Sequence, residues 1–182
     1  MTDETVLIEQ LINVQTREKA FRELISLYKE RLYWHVRKIV ISHDDTDDVL
    51  QNTFIKIYKN IGKFKQESKL FSWMYRIATN EAITFINKRN KERKVEISEV
   101  QEHLVSTLES DIYFSGEEIQ EILQKAIASL PQKQQLVFNM KYFDNIKYTQ
   151  ISEILGTSVG ALKASYFHAV KKIESYIKKQ LN

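Results

Sequence analysis

Apolar residues recur three and four positions apart along most of this chain, which is the period of an amphipathic helix. The pattern covers residues 5–14 and 17–40, where Phe21, Leu24, Ile25, Tyr28, Leu32 and Val36 fall on one stripe. The polar run SHDDTDD breaks it. Ser42 or Asp44 suits the N-cap of a following helix, with Asp45, Asp47 and Asp48 near its positive end. That helix carries Val49, Leu50, Phe54, Ile57, Tyr58 and Ile61 and stops at Gly62. KFKQESK predicts a short polar loop. A long helix is expected from about Leu70 to Asn90, with Phe71, Met74, Ile77, Ala78, Ile83 and Ile86 toward a core.

The period fades near Val95, where VEISEVQEHLVSTLESDIYFSGEE predicts a linker holding one short helix. A second helical unit starts near Glu118, with Ile119, Ile122, Leu123, Ala126 and Leu130 on one face. Pro131 suits a first helical position. Leu136, Val137, Met140 and Phe143 make the next face, ended by FDNIK. YTQISEILG then predicts a short helix closed by a left-handed Gly156, and Ser158 suits the N-cap of the last one. This is helix-turn-helix spacing, with Ile151, Ile154 and Leu155 facing Leu162, Phe167 and Val170.

Composition sharpens the fold to all-α. Four glycines and one proline leave no Gly-rich phosphate loop and few turns for strands. With no cysteine, disulfides and thiolate metal sites are excluded. His43 among the aspartates lacks the remaining ligands of a metal site, and no nucleophile arrangement is present. The sequence therefore predicts a protein that is not an enzyme and has no metal, cofactor or small-molecule substrate. The acidic start MTDETVLIEQ does not resemble a signal peptide, and no apolar run reaches the roughly 20 residues of a membrane span. A cytoplasmic protein without membrane insertion is expected.

The formal charge of +3 conceals segregation. Residues 53–94 hold 11 basic and 3 acidic side chains, residues 95–121 hold 8 acidic and no basic ones, and residues 122–182 hold 9 basic and 3 acidic ones. Two basic blocks kept apart by an acidic bridge suit two surfaces for a polyanion; charged faces that merely meet solvent are the plainer alternative. Within the first block, aromatics and lysines interleave as a single-stranded nucleic acid would require, the rings stacking on bases and the ammonium groups meeting phosphates. Trp73 and Tyr75 lie two apart and cannot share a helix face, so at most one belongs to a core. Lys69, Arg76, Lys88 and Arg89 suit backbone contacts; Asn80 and Asn87 suit base edges or an ordinary polar face. In the last helix, Val159, Gly160, Ala161, Lys163, Ala164 and Phe167 occupy positions that can face a major groove. Lys163, Lys171 and Lys172 favour DNA, with phosphates supplying much of the affinity.

The blocks FRELISLYKERLYWHVRKIV, DDTDDVLQNTFIKIYKNIGKFKQESKLFSWMYRIATNEAITFINKR and ILQKAIASLPQKQQLVFNMKYFDNIKYTQISEILGTSVGALKASYFHAVKKIESY resemble regions 2 and 4 of extracytoplasmic-function (ECF) sigma factors of the sigma-70 family. The resemblance implies a region 2 domain at 5–94, an acidic flexible linker at 95–117 and a region 4 domain at 118–180. It implies partners: core RNA polymerase through the largest-subunit clamp helices and the flap, promoter DNA, and an anti-sigma factor. Core polymerase contact falls on Asp47, Asp48, Gln51, Phe54 and Lys56. Contact with the opened −10 element falls on the loop lysines Lys63, Lys65 and Lys69, on Trp73, Tyr75, Arg76 and Asn80, and on Lys88 and Arg89. Contact with the −35 major groove falls on the helix from Ser158 through Lys171. Three departures stand out: Ser165 occupies a place where the family usually has arginine, His168 one where a basic residue is common, and Thr84 one where aspartate is frequent. A stand-alone helix-turn-helix regulator remains the alternative, although it accounts poorly for residues 44–89.

Overall fold

A computed structural model describes residues 3–93 and 118–181, and every regular element among them is helical. The first bundle contains α1 (Asp3–Ile12), α2 (Arg17–Val40), α3 (His43–Asn60) and α4 (Leu70–Arg93), with a 3-10 turn at Ile61–Lys63. The second contains α5 (Glu118–Ala128), α6 (Gln132–Tyr142), α7 (Tyr148–Leu155) and α8 (Val159–Leu181). The stretch read as a linker with a short helix lies outside the described residues.

Local chemistry sets the helix ends. Ser42 caps α3: its backbone is extended and its Oγ accepts from the Asp45 amide at 3.4 Å. This decides between the two candidate caps. At the end of α1, Arg17 donates from Nε to the Leu11 carbonyl and from Nη2 to the Ile12 carbonyl, at 2.9 and 2.8 Å. Gly62 passes beside that guanidinium, and a Cβ there would lie 3.1 Å from Nη2. Pro131 precedes the first residue of α6, with extended backbone, so its place is the N-cap. Gly156 ends α7 at φ +62, where its missing Cβ removes the left-handed penalty, and Ser158 Oγ accepts from the Ala161 amide at 3.3 Å.

Helices α2, α3 and α4 enclose the first core, with Leu24, Leu32, Val36, Ile57, Leu70 and Met74 fully buried. Burying each such side chain contributes about 1.5–3 kcal/mol. Helix α1 closes the bundle with Leu7, Ile8 and Leu11. The second bundle has its own cluster of Ala126, Ile127, Leu130, Phe138, Ala169 and Ile173. Its other apolar face is continuous with the first core: Met140, Ile146, Ile151, Ile154 and Leu162 join that cluster, and α7 packs on α4. Leu162 is buried beside Ile151 and Ile154 as the spacing predicts, whereas Phe167 is exposed and Val170 packs in the second cluster.

Candidate nucleic-acid interface

Helix α3 exposes Asp47, Asp48 and Gln51. Ile55 and Tyr58 continue the line from Gln51 by steps of four and three, and both are exposed, at 44% and 41%. The periodic set of this helix includes Tyr58 and not Ile55; the stripe from Asp47 places both outside. Phe54 is half-buried, edge-on to Phe21 at 6.3 Å. Lys56 leaves this face and pairs with Glu81 of α4.

At 100° per residue, Trp73, Arg76, Asn80, Thr84, Asn87 and Lys88 fall on one side of α4, within about a third of its circumference, and Lys69 precedes the helix on the same side. Trp73 is half-buried, its ring 5.1 Å from that of Phe64. Asn80, Asn87 and Lys88 are exposed, as are Lys63, Lys65 and Lys69 around the preceding loop. Lys88 lies 3.8 Å from Glu92. Arg76 donates from Nε, at 3.0 Å, and from Nη2 to the Glu153 carbonyl of α7.

Tyr75 and Arg89 lie on the opposite side of α4. Tyr75 is 1% exposed, donates to the Arg31 carbonyl at 3.3 Å, and lies against the rings of Phe71 and His35 at 4.1 and 4.6 Å. Burial, and then the charge of Asp144, push its phenol well up, so the hydroxyl stays protonated. The pair Trp73 and Tyr75 is thus split, and Tyr75 is the core member. Arg89 makes a charge-assisted contact with Asp45, whose carboxylate also sits at the positive end of α3.

On α8, Ser158, Gly160, Ala161, Lys163, Ala164, Phe167 and Lys171 are exposed and Val159 is half-buried. The Lys171 ammonium lies 5.9 Å from the Phe167 ring centroid and 3.2 Å from Glu174. Further along, His168, Lys172, Ser175, Tyr176 and Lys179 join Lys171 around a shallow basic hollow. Sequence reading stopped at Lys172; the seven-residue spacing to Lys179 carries the line on. Among the described residues, no group of three histidine or acidic side chains is placed to hold a metal ion, and no helix is long and apolar enough to cross a membrane.

The model of Sigma-70 region 2 matches residues 24–92, and that of Sigma-70, region 4, matches residues 120–173. The chain is 30% identical over 187 aligned positions to the ECF RNA polymerase sigma-E factor of Haemophilus influenzae, covering 97% of this chain and 96% of that one. The chain belongs to the ECF sigma factors.

This sigma factor is also 30% identical to the ECF RNA polymerase sigma factor SigW of Bacillus subtilis, over 80% of its own length and 82% of SigW. Its fold is similar to CnrH in complex with the cytosolic domain of CnrY, with TM-score 0.71, 18% identity and 97% coverage of both chains. It is similar as well to the sigma factor RpoE in complex with the anti-sigma factor NepR from Bartonella quintana, with TM-score 0.67, 20% identity and coverage of 88% and 98%. As a sigma factor it is a non-catalytic protein that directs transcription initiation by core RNA polymerase.

Proposed function

We propose that the two bundles divide promoter recognition between them. The first docks on the clamp helices of core polymerase through Asp47, Asp48 and Gln51, with Ile55 and Tyr58 as the apolar flank of the same stripe. Its α4 sector then holds the opened −10 strand: Trp73 takes a base against its ring, Lys63, Lys65, Lys69 and Lys88 meet phosphates, and Asn80 faces base edges. Phe54 and Lys56 support the α3 surface, and Tyr75 and Arg89 hold α4 in place. In the second bundle α8 enters the −35 major groove, its small side chains bringing the backbone close while Lys163 and Lys171 contact phosphates.

The observation that carries this reading is the α4 sector, where an aromatic ring, amides and lysines share one side of the helix. A helix that only needed solubility has no use for a partly exposed tryptophan between cations. An anti-sigma partner belongs to the reading because the similar RpoE is described bound to NepR.

The test is transcription by core polymerase on a duplex promoter and on the same promoter with the −10 region already unpaired. Trp73→Ala should impair the duplex template and be largely rescued on the unpaired one. Equal impairment on both would assign Trp73 to folding and sink its role in opening.

A further inference from the structure

One side chain beside the strand-holding side of α4 has the wrong sign for a polyanion. From Lys69 to Lys91 the sequence holds five cations and a single acid, Glu81. It follows Asn80 directly, and at 100° per residue it lies about 20° past Lys88, at the rim of that side. Thr84, one turn on, and Lys88, two turns on, are both exposed. At this rim Glu81 Oε1 accepts from Lys56 Nζ of α3. The Glu81 side chain is 15% exposed and that of Lys56 54%. Ile77 and Phe85, one turn to either side of Glu81, are half-buried against the core.

Stability does not account for an acid in this place. An ion pair with one well-exposed partner contributes little to the fold, and a carboxylate beside phosphates repels them. Lys56 offsets that repulsion and holds the side chain through one oxygen. A carboxylate only accepts, and its two oxygens have more lone pairs than one ammonium can use. Such a group separates bases by sign. It accepts from the amino group of cytosine N4 or adenine N6 and repels the keto oxygen of thymine O4 or guanine O6. Low exposure strengthens both effects, because water screens them less.

We propose that Glu81 is a specificity-determining residue for the opened −10 strand. It reads one amino-bearing base next to the base that Asn80 meets, and Lys56 is the positioning residue that holds its carboxylate and offsets its charge. The proposal rests on the reading of α4 given above and deepens it. Sequence preference on this side comes from Asn80 and Glu81, whereas the lysines supply affinity regardless of sequence. Lys56, which lies off the docking stripe of α3, acts on the strand through Glu81.

The test uses holoenzyme assembled from core polymerase and the full-length chain. Its probes are single-stranded −10 oligonucleotides with each of the four bases at each position in turn. The parent should show one position where cytosine or adenine is bound about fivefold more tightly than thymine or guanine. Glu81→Gln should flatten that position to within about twofold and leave the other positions alone, since an amide both donates and accepts. Lys56→Ala should weaken all oligonucleotides alike and keep the direction of the preference. In the Glu81→Gln background the same change should cost much less, because no charge is left to offset. A further probe leaves the protein untouched: purine in place of adenine, or 2-pyrimidinone in place of cytosine, deletes the amino group. At the read position that deletion should cost the parent the same fivefold.

Preferences that Glu81→Gln leaves unchanged would overturn the proposal. So would an equal gain on all four bases, which would make Glu81 a source of repulsion alone, or amino-group deletions that cost the parent nothing. The deletions decide even if Glu81→Gln loses its helical signal in circular dichroism. An equal loss from Lys56→Ala with and without Glu81 would remove Lys56 from the proposal and assign it to polymerase docking. A parent holoenzyme that captures no −10 strand of any sequence contradicts the reading of α4 itself, whereas capture with preferences indifferent to Glu81 sinks only its role as a reader.

Discussion

The outward faces of α4 and α8 differ in what they offer. Helix α4 offers a half-buried tryptophan, amides and cations on one side, whereas α8 offers mostly small residues, glycine, alanines and a serine, with Lys163, Lys171 and the exposed ring of Phe167 among them. Holding an unpaired strand requires rings and hydrogen-bonding groups that replace the lost stacking. A helix that enters a duplex groove can rely on phosphates and on small side chains that permit close approach. The cores differ in the same sense. The first bundle encloses its own apolar residues, whereas the second splits its apolar surface between a small private cluster and the core it shares with the first.

Breaking the scaffold beneath α4 should have the largest effect. Met74→Ala removes a fully buried side chain and should cost about 2–5 kcal/mol in urea denaturation. A loss below about 1 kcal/mol would mean that the first core is far looser than its burial implies. On the α4 face itself, Trp73→Ala should weaken capture of a single-stranded −10 oligonucleotide by about 1–3 kcal/mol, with Trp73→Phe retaining most of it. Duplex −35 binding should be unaffected; equal losses in both would erase the contrast between the two faces.

Changes on α8 should be smaller and electrostatic. Lys163→Ala should lower the slope of log affinity against log salt by about one unit on −35 duplex, irrespective of sequence. If Lys163→Ala changes sequence preference and leaves the salt slope alone, α8 reads bases through Lys163 and is not the phosphate-led face described.

Acid should matter least. Burial alone would raise the Asp144 carboxyl, but its hydrogen bond with His35 and the charges of His35 and Lys38 outweigh burial and hold it below the ordinary carboxylate range. Because the folded-state value is depressed, the contribution of Asp144 is complete above the ordinary range and is lost as pH falls through the lowered value. Stability in urea should be insensitive to this group between about pH 7 and 5 and should fall below about pH 4, and Asp144→Asn should remove that acid dependence. The same acid dependence in Asp144→Asn as in the parent would mean that Asp144 does not carry it.

The sequence was most legible where helix period and capping chemistry agree. The Ser42 cap, the left-handed Gly156 and the stripe through Leu24, Leu32 and Val36 all lie where the pattern puts them, because each is decided within a few residues. The exposure of Tyr58 is less legible, because helical period identifies a face but not its edge, and the half-buried Phe54 belongs to the same periodic set. The roles of Asp144 and His35 were invisible for a different reason. They lie 109 positions apart in sequence, and a lone aspartate in the turn FDNIK has no local partner to reveal it. Arg76 reads as a cation for a nucleic-acid backbone, and its tie to α7 is hidden for the same reason, since its partner is a backbone carbonyl, which every residue carries.

The division of labour is tested most directly by promoter-directed transcription with purified core polymerase and this chain, beside a variant carrying Asp48→Ala and Gln51→Ala. Initiation at a defined start site with the parent chain is expected. The double variant should lose it through failure to bind polymerase, while still binding −35 duplex as the parent does. Full initiation by the double variant, or loss of −35 binding together with polymerase binding, would contradict the separation of docking on α3 from reading on α8.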